Sequence, residues 1–142
     1  GICLGHQGIA TAFGGSLRIL SPPVHGKLSL IKHNNKDIFK GLEQSFPVTR
    51  YHSLTVDEKN LPDELEVIAQ TAEGLIMGLK HKYYECTGVQ FHPESIASVG
   101  GYRIFANFLS KIGKNRISER RIKELETQTL RLDIRFPEQI HV

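Results

Sequence analysis

The hydrophobic pattern follows two rhythms, one helical and one of alternating or continuous apolar runs. Residues 5–13 read as a helix stopped by Gly14-Gly15, glycine being the residue that most readily ends one. Two short strands follow, 17–20, closed by Ser21-Pro22-Pro23, and 27–33, turned by Asn34-Asn35. A helical turn over 37–42 leads to strand candidates at 47–51, 66–71 and 76–81. Residues 87–91 suit a buried strand, and 101–112 place Ile104, Phe105, Phe108, Leu109 and Ile112 on one helical stripe, read as core. Strands interleaved with helices predict an α/β fold, an open sheet with some antiparallel hairpin content.

The pattern changes after Ile112. Ser118 is placed to cap a helix running to about residue 127, with Glu119–Lys123 and Arg120–Glu124 in i,i+4 register. From 130 to 136, Leu130, Leu132, Ile134 and Phe136 alternate with charged residues, the period of a half-buried strand. The expected division is a domain over 1–112, a charged helical linker over 113–128, and the start of a following domain over 129–142.

Composition narrows the class. The 142 residues are 39% hydrophobic and 23% charged, enough for one globular domain and unlike collagen, disordered chains or membrane spans. No apolar run approaches the roughly 18 residues of a transmembrane helix. Cys3 and Cys86 are too few for a disulfide framework, which predicts a reducing compartment: the cytoplasm, or a plastid if a transit peptide once stood upstream. Residues 111–135 hold eight Lys/Arg against four Asp/Glu, so the formal charge of +3 resides in the tail and the body is nearly neutral. Interspersed acids, and no aromatic before Phe136, describe a solvated connector rather than a nucleic-acid or membrane surface. The chain opens on GICLG without an initiator Met, and a preceding segment is expected.

Candidate chemistry begins at residue 1. Gly1-Ile2-Cys3-Leu4-Gly5 has the form G-x-C-x-G, the cysteine counterpart of a strand–nucleophile–helix turn. Glycines two before and two after are expected to clear the strained turn. The sulfur would sit at a helix N-terminus, which favours thiolate, and the Leu4 N–H would point where an oxyanion forms. The plain alternative is an inert Cys in a glycine-rich turn. Downstream, His92 falls just past a strand end, Pro93 holds it extended, and Glu94, two residues on, projects to the same side. A carboxylate there fixes the imidazole's tautomer and offsets its charge, completing a Cys–His–Glu thiol triad. The alternative is a loop His beside a solvated Glu.

Other residues attract simpler readings. Cys86 reads as packing and His6 as a helix-face residue. His25, His33, His52, His81 and His141 lack metal-ligand spacing, and Gly14-Gly15 lacks the context of a phosphate loop, so no metal or cofactor is expected.

GICLGHQ, then RYHSL over 50–54 and VQFHPES over 89–95, in that order, resemble the class I glutamine amidotransferases across about residues 1–110. Pro23-Val24-His25-Gly26-Lys27 is similar to the chorismate-using branch, the amidotransferase halves of anthranilate synthase and aminodeoxychorismate (para-aminobenzoate) synthase. The resemblance implies a doubly wound, flavodoxin-like sheet that here lacks its N-terminal strands and second oxyanion donor, so the isolated chain is expected to be poorly active. It implies Cys3 as nucleophile, His92 as general acid/base and Glu94 as orienting carboxylate. It further implies Gln7 touching bound glutamine, with the backbone of Ser53 and Leu54 holding its α-carboxylate and amino group; from the residues alone that pair reads equally as a strand-end turn. The implied partners are glutamine and a chorismate-binding synthase that takes the ammonia. The tail past Ile112 favours the para-aminobenzoate branch, toward folate; the tryptophan branch through anthranilate is the first alternative, and a non-catalytic docking module the second. A γ-glutamyl hydrolase on the same turn finds no support in RYHSL or PVHGK.

Overall fold

The computed structural model describes residues 1–113 and 116–131. Five strands, β1 (Leu17–His33), β2 (Phe46–Val56), β3 (Leu65–Thr71), β4 (Ile76–His81) and β5 (Thr87–Val89), form one sheet in the order β2-β1-β3-β4-β5. Every ladder is antiparallel. The parallel pairing among the described residues is the isolated Ile2–Val89 bridge. The α/β fold therefore stands, with antiparallel pairing running through the whole curled sheet rather than through a hairpin alone.

Helix α1 (Leu4–Ala12) and helix α2 (Gly101–Ile112) serve two different cores. Ala10 of α1 packs with Val56, Leu65, Ile76 and Leu79, while Ile104 of α2 packs with Ile31, Phe39, Phe46, Ile68, Met77 and Phe91. Neighbours in sequence, Ile68 beside Val67 and Met77 beside Ile76, go to different clusters, as the two-residue period of a strand requires. Each face of the sheet is thus covered.

Three expectations are corrected. The break expected at Ser21-Pro22-Pro23 is a bulge inside one 17-residue strand: the register jumps from Ile19↔Leu54 to Val24↔His52, so residues 20–23 face Ser53 alone. Proline survives there because bulged residues make no ladder bonds. The 47–51 strand runs on to Val56, placing Ser53 and Leu54 within β2 rather than at its end. The stripe on α2 is core only in part. Ile104 is buried, but Phe108, Leu109 and Ile112 stand 43–60% exposed, and Phe108 and Leu109, with Ile2 and Val89, border an apolar groove of about 350 Å³ that no described residue fills.

Helix α3 (Glu119–Arg131) begins at the predicted cap, Ser118 Oγ accepting from the Arg121 N–H at 3.3 Å. It continues past 127 through Leu130 and Arg131, two residues expected to open a strand; the rest of that expected strand, and residues 132–142 generally, lie outside the described residues. The connector docks rather than floats: Ile122 is buried, Glu119 pairs with Arg103 of α2 at 2.5 Å, and Thr129 meets the Tyr102 hydroxyl at 3.3 Å. No helix among the described residues is long and apolar enough to cross a membrane.

Candidate active site

Residues 1–3 run extended beside β5. The Val89 N–H donates to Gly1 O at 2.9 Å and the Cys3 N–H to Val89 O at 2.8 Å. The chain then turns at once into α1, which leaves Cys3 at φ +49° and ψ −102°, backbone that residues with side chains rarely adopt. A Cβ on Gly1 would lie 2.5 Å from the carbonyl of Gly5, so the first glycine is required by close approach. The second is not: a Cβ on Gly5 meets nothing within 4 Å, against the expectation that both glycines clear the turn.

Parallel pairing of Ile2 with Val89 decides what surrounds the sulfur, because residues just past a bridge on parallel strands are neighbours. Gln90 follows Val89 and its Nε2 donates to Cys3 Sγ at 3.7 Å. On the other side the thiol donates to the Tyr51 carbonyl of β2 at 3.9 Å. Burial pushes the Cys3 thiol pKa up; the Leu4 N–H opposes this, the Glu94 charge adds to it, and the Gln90 amide opposes it again. The expected bias toward thiolate is therefore overturned. Desolvation outweighs the helix N-terminus, and the resting sulfur is a thiol.

His92 leaves the same strand end. Its Nδ1 faces Glu94 Oε1 at 2.5 Å, the pairing the two-residue spacing predicts. With Nδ1–H given to the carboxylate, Nε2 is the basic nitrogen. The Tyr51 ring stands edge-on to the His92 imidazole, centroids 5.4 Å apart, so Tyr51 touches the thiol with its carbonyl and the imidazole with its ring. No hydrogen bond joins Cys3 to His92 among the described residues. The His92 backbone is pinned to β2: its N–H donates to Thr49 O at 3.0 Å, and the buried Ser98 hydroxyl donates to His92 O at 2.5 Å while accepting from the Thr49 N–H.

The glutamine-pocket candidates gather on the same side. Gln7, buried on α1, donates through Nε2 to Leu54 O at 2.9 Å and to Gln90 Oε1 at 3.0 Å. Ser53, opposite the bulge, has no cross-strand partner in the register, which leaves its backbone outside the ladder. Leu54 O also accepts from His52 Nδ1 at 2.8 Å, and His52 Nε2 accepts from Arg50 Nε at 2.9 Å. Burial drives the His52 pKa down to about 4, so this imidazole is neutral. His6, read as a helix-face residue, is wholly buried, and burial pushes its pKa down to about 4; neither ring nitrogen makes a well-formed hydrogen bond.

Cys3, Leu4, Gln7, Ser53, Leu54, His92 and Glu94 thus share one region. Sequence reasoning passed over three residues there: Tyr51, Gln90 and Ser98. The first two lie inside the motifs 50–54 and 89–95, which was the available signal; Ser98 offers none.

A family profile, Glutamine amidotransferase class-I, matches residues 1–112. The chain is 47% identical over 111 residues to aminodeoxychorismate synthase component 2 of Klebsiella aerogenes, covering 78% of this chain and 59% of that protein. It is 49% identical over 121 residues to anthranilate synthase component 2 of Pseudomonas putida, covering 82% and 61%. It therefore spans less than two thirds of these relatives. Among solved structures, a Thermoplasma acidophilum protein assigned as a GMP synthase subunit superposes with a TM-score of 0.71 at 33% identity, over 78% of this chain and 54% of that one.

Proposed function

The chain belongs to the class I glutamine amidotransferase family, and from that membership we propose that it carries the glutaminase half-reaction of a chorismate-using aminating synthase. The Cys3 thiol gives its proton to His92 Nε2, and the thiolate attacks the side-chain carboxamide carbon of glutamine. The carbonyl electrons move onto oxygen, which meets the Leu4 N–H. As the tetrahedral species collapses, His92 protonates the leaving nitrogen, and ammonia departs from a γ-glutamyl thioester. Water, deprotonated by His92, then splits the thioester to glutamate and restores the thiol. Gln7 and the backbone of Ser53 and Leu54 hold the amino-acid end of the substrate, and a synthase partner takes the ammonia.

One observation carries this reading: an imidazole already coupled to Glu94 at 2.5 Å leaves the same strand end as a cysteine held at φ +49°. A docking module would need neither feature. The para-aminobenzoate branch is the first reading and the anthranilate branch the second; relatives of both kinds match, and anthranilate synthase relatives also align through the docked helix past α2.

The test uses the full-length protein with chorismate and either glutamine or an ammonium salt. Cys3→Ser should abolish glutamine-dependent product and spare ammonia-dependent product. If both survive, the cysteine is not the nucleophile. Anthranilate in place of aminodeoxychorismate would move the assignment to the tryptophan branch.

A further inference from the structure

Gln90 touches the reacting sulfur and belongs to no part of the triad. It is completely buried, and a buried primary amide must place both its ends. Which end faces the sulfur is settled by a chain of hydrogen bonds that starts at an atom able only to accept. The Leu54 carbonyl takes a bond from Gln7, so Gln7 turns its NH₂ that way. The same Nε2 lies 3.0 Å from Gln90, so Gln90 must present oxygen to it. Its own NH₂ is then left for Cys3 Sγ, 3.7 Å away. Flipping Gln90 would set two NH₂ groups against each other, and flipping Gln7 would set two oxygens against each other at Leu54. His52 holds the Leu54 carbonyl from its other side, 2.8 Å away, so the anchor is itself fixed.

We infer that Gln90 is a catalytic residue of this site, a side-chain donor to the Cys3 sulfur whose direction is imposed through Gln7 by the backbone carbonyl of Leu54. The inference rests on Cys3 being the nucleophile. The thiol is held by what it donates to, the Tyr51 carbonyl, whereas the thiolate can only accept. When the proton leaves, the Tyr51 contact turns repulsive and the Gln90 N–H bond strengthens, because a donor to an anion outweighs a donor to a neutral group. Gln90 thus favours the ionised sulfur over the resting thiol, where burial and Glu94 both work against ionisation. Gln7 acquires a second role as the positioning residue that keeps this donor aimed.

The test reads the sulfur directly, in the full-length protein, by the pH dependence of iodoacetamide alkylation at Cys3, with Cys86 of the same chain as internal reference. Gln90→Leu should slow Cys3 alkylation at pH 7 by about 10-fold and move its midpoint up by about one pH unit. Gln90→Glu, nearly isosteric but offering an anion, should slow it more, by about 30-fold. Gln7→Leu, which lets the amide turn, should slow it about 3-fold. A packing role for Gln90 would leave the midpoint where it is. Superimposed Cys3 profiles in both Gln90 variants, with Cys86 alkylation and melting unchanged, would overturn the inference. Should these variants not fold, the wild type decides. With glutamine side chains ¹⁵N-labelled, one amide must titrate at the Cys3 midpoint and cease to do so in Cys3→Ser; a flat signal refutes the donor role. These readouts need no glutamine, so they are separate from the turnover test of Cys3→Ser, in which retained glutamine-dependent product would refute the nucleophile instead.

Discussion

Glu94 acts on Cys3 and His92 with opposite sign. Its charge raises the Cys3 pKa, while its hydrogen bond fixes the tautomer of His92. Glu94→Gln separates the two effects. Without the like charge the thiol ionises more readily, so Cys3 alkylation at pH 7 should speed up. Glutamine turnover should fall all the same, by up to about 100-fold with KM little changed, because a general acid that is no longer oriented loses much of its contribution. If turnover rises along with alkylation, the carboxylate does not orient the imidazole. The strained turn at Cys3 and the pairing of His92 with Glu94 were legible in the sequence because each rests on local backbone logic: a turn that needs a glycine two before it, a proline that holds an extended dipeptide, a spacing of two. Gln90 and Tyr51 were not, since their contacts with the sulfur arise from the pairing of residue 2 with residue 89 and from a strand 48 residues away. Nor was the thiol's raised pKa, because helix N-termini announce themselves in sequence and desolvation does not.

At the scale of elements, α2 holds the His92–Glu94 segment in place by backbone contact. Gly100, at φ +72°, turns the chain into the helix, and a Cβ on Gly101 would overlap the carbonyl oxygen of Pro93, the residue between His92 and Glu94. Gly101 allows the helix to sit directly on the His92–Glu94 segment, and no flexible side chain is present there to yield. Gly101→Ala should therefore cost about 1–3 kcal/mol in stability by overpacking. It should also lower kcat several-fold by displacing the imidazole, where a surface glycine-to-alanine change in a helix would be neutral or stabilising. Wild-type kcat at reduced melting temperature would show that the contact supports the fold alone. The sequence located α2 to the residue and β4 likewise, because an apolar helical stripe and a short, almost wholly buried run leave little freedom. It split β1 in two because Ser-Pro-Pro ordinarily ends a strand. Here β1 pairs with β3 only over Ile31–His33, so for most of its length it answers to β2 alone and can absorb four bulged residues opposite Ser53. That irregularity also leaves the Ser53 backbone outside the ladder.

Across the whole molecule, two imidazoles are held neutral in separate places. His6 lies in the α1 layer against Gly88, and His52 lies in the polar chain between Arg50 and Leu54. Burial brings both pKa values to about 4 from the ordinary imidazole value near 6.5. The unfolded chain therefore binds protons at these two sites between about pH 6.5 and 4 that the folded chain refuses, and linkage makes unfolding free energy rise with pH across that window. Stability is fully present above about pH 6.5 and declines as pH falls toward 4, with each site contributing up to about 3 kcal/mol. The paired carboxylates act lower: Asp37, held by Lys80 and Lys111, has its pKa depressed below the usual range, so its contribution disappears only once pH falls into and below the ordinary carboxylate range. Melting followed between pH 7 and 5 should accordingly fall steeply in the wild type. His52→Gln, which keeps a donor for Leu54 and an acceptor for Arg50, should flatten that slope by about half, since one of two proton-refusing sites is gone. His6→Gln should do the same. If both variants melt in parallel with the wild type across that interval, the imidazoles are not the groups that the acid limb of stability reports, and the buried chain that aims Gln90 would have to be protonated in the folded state.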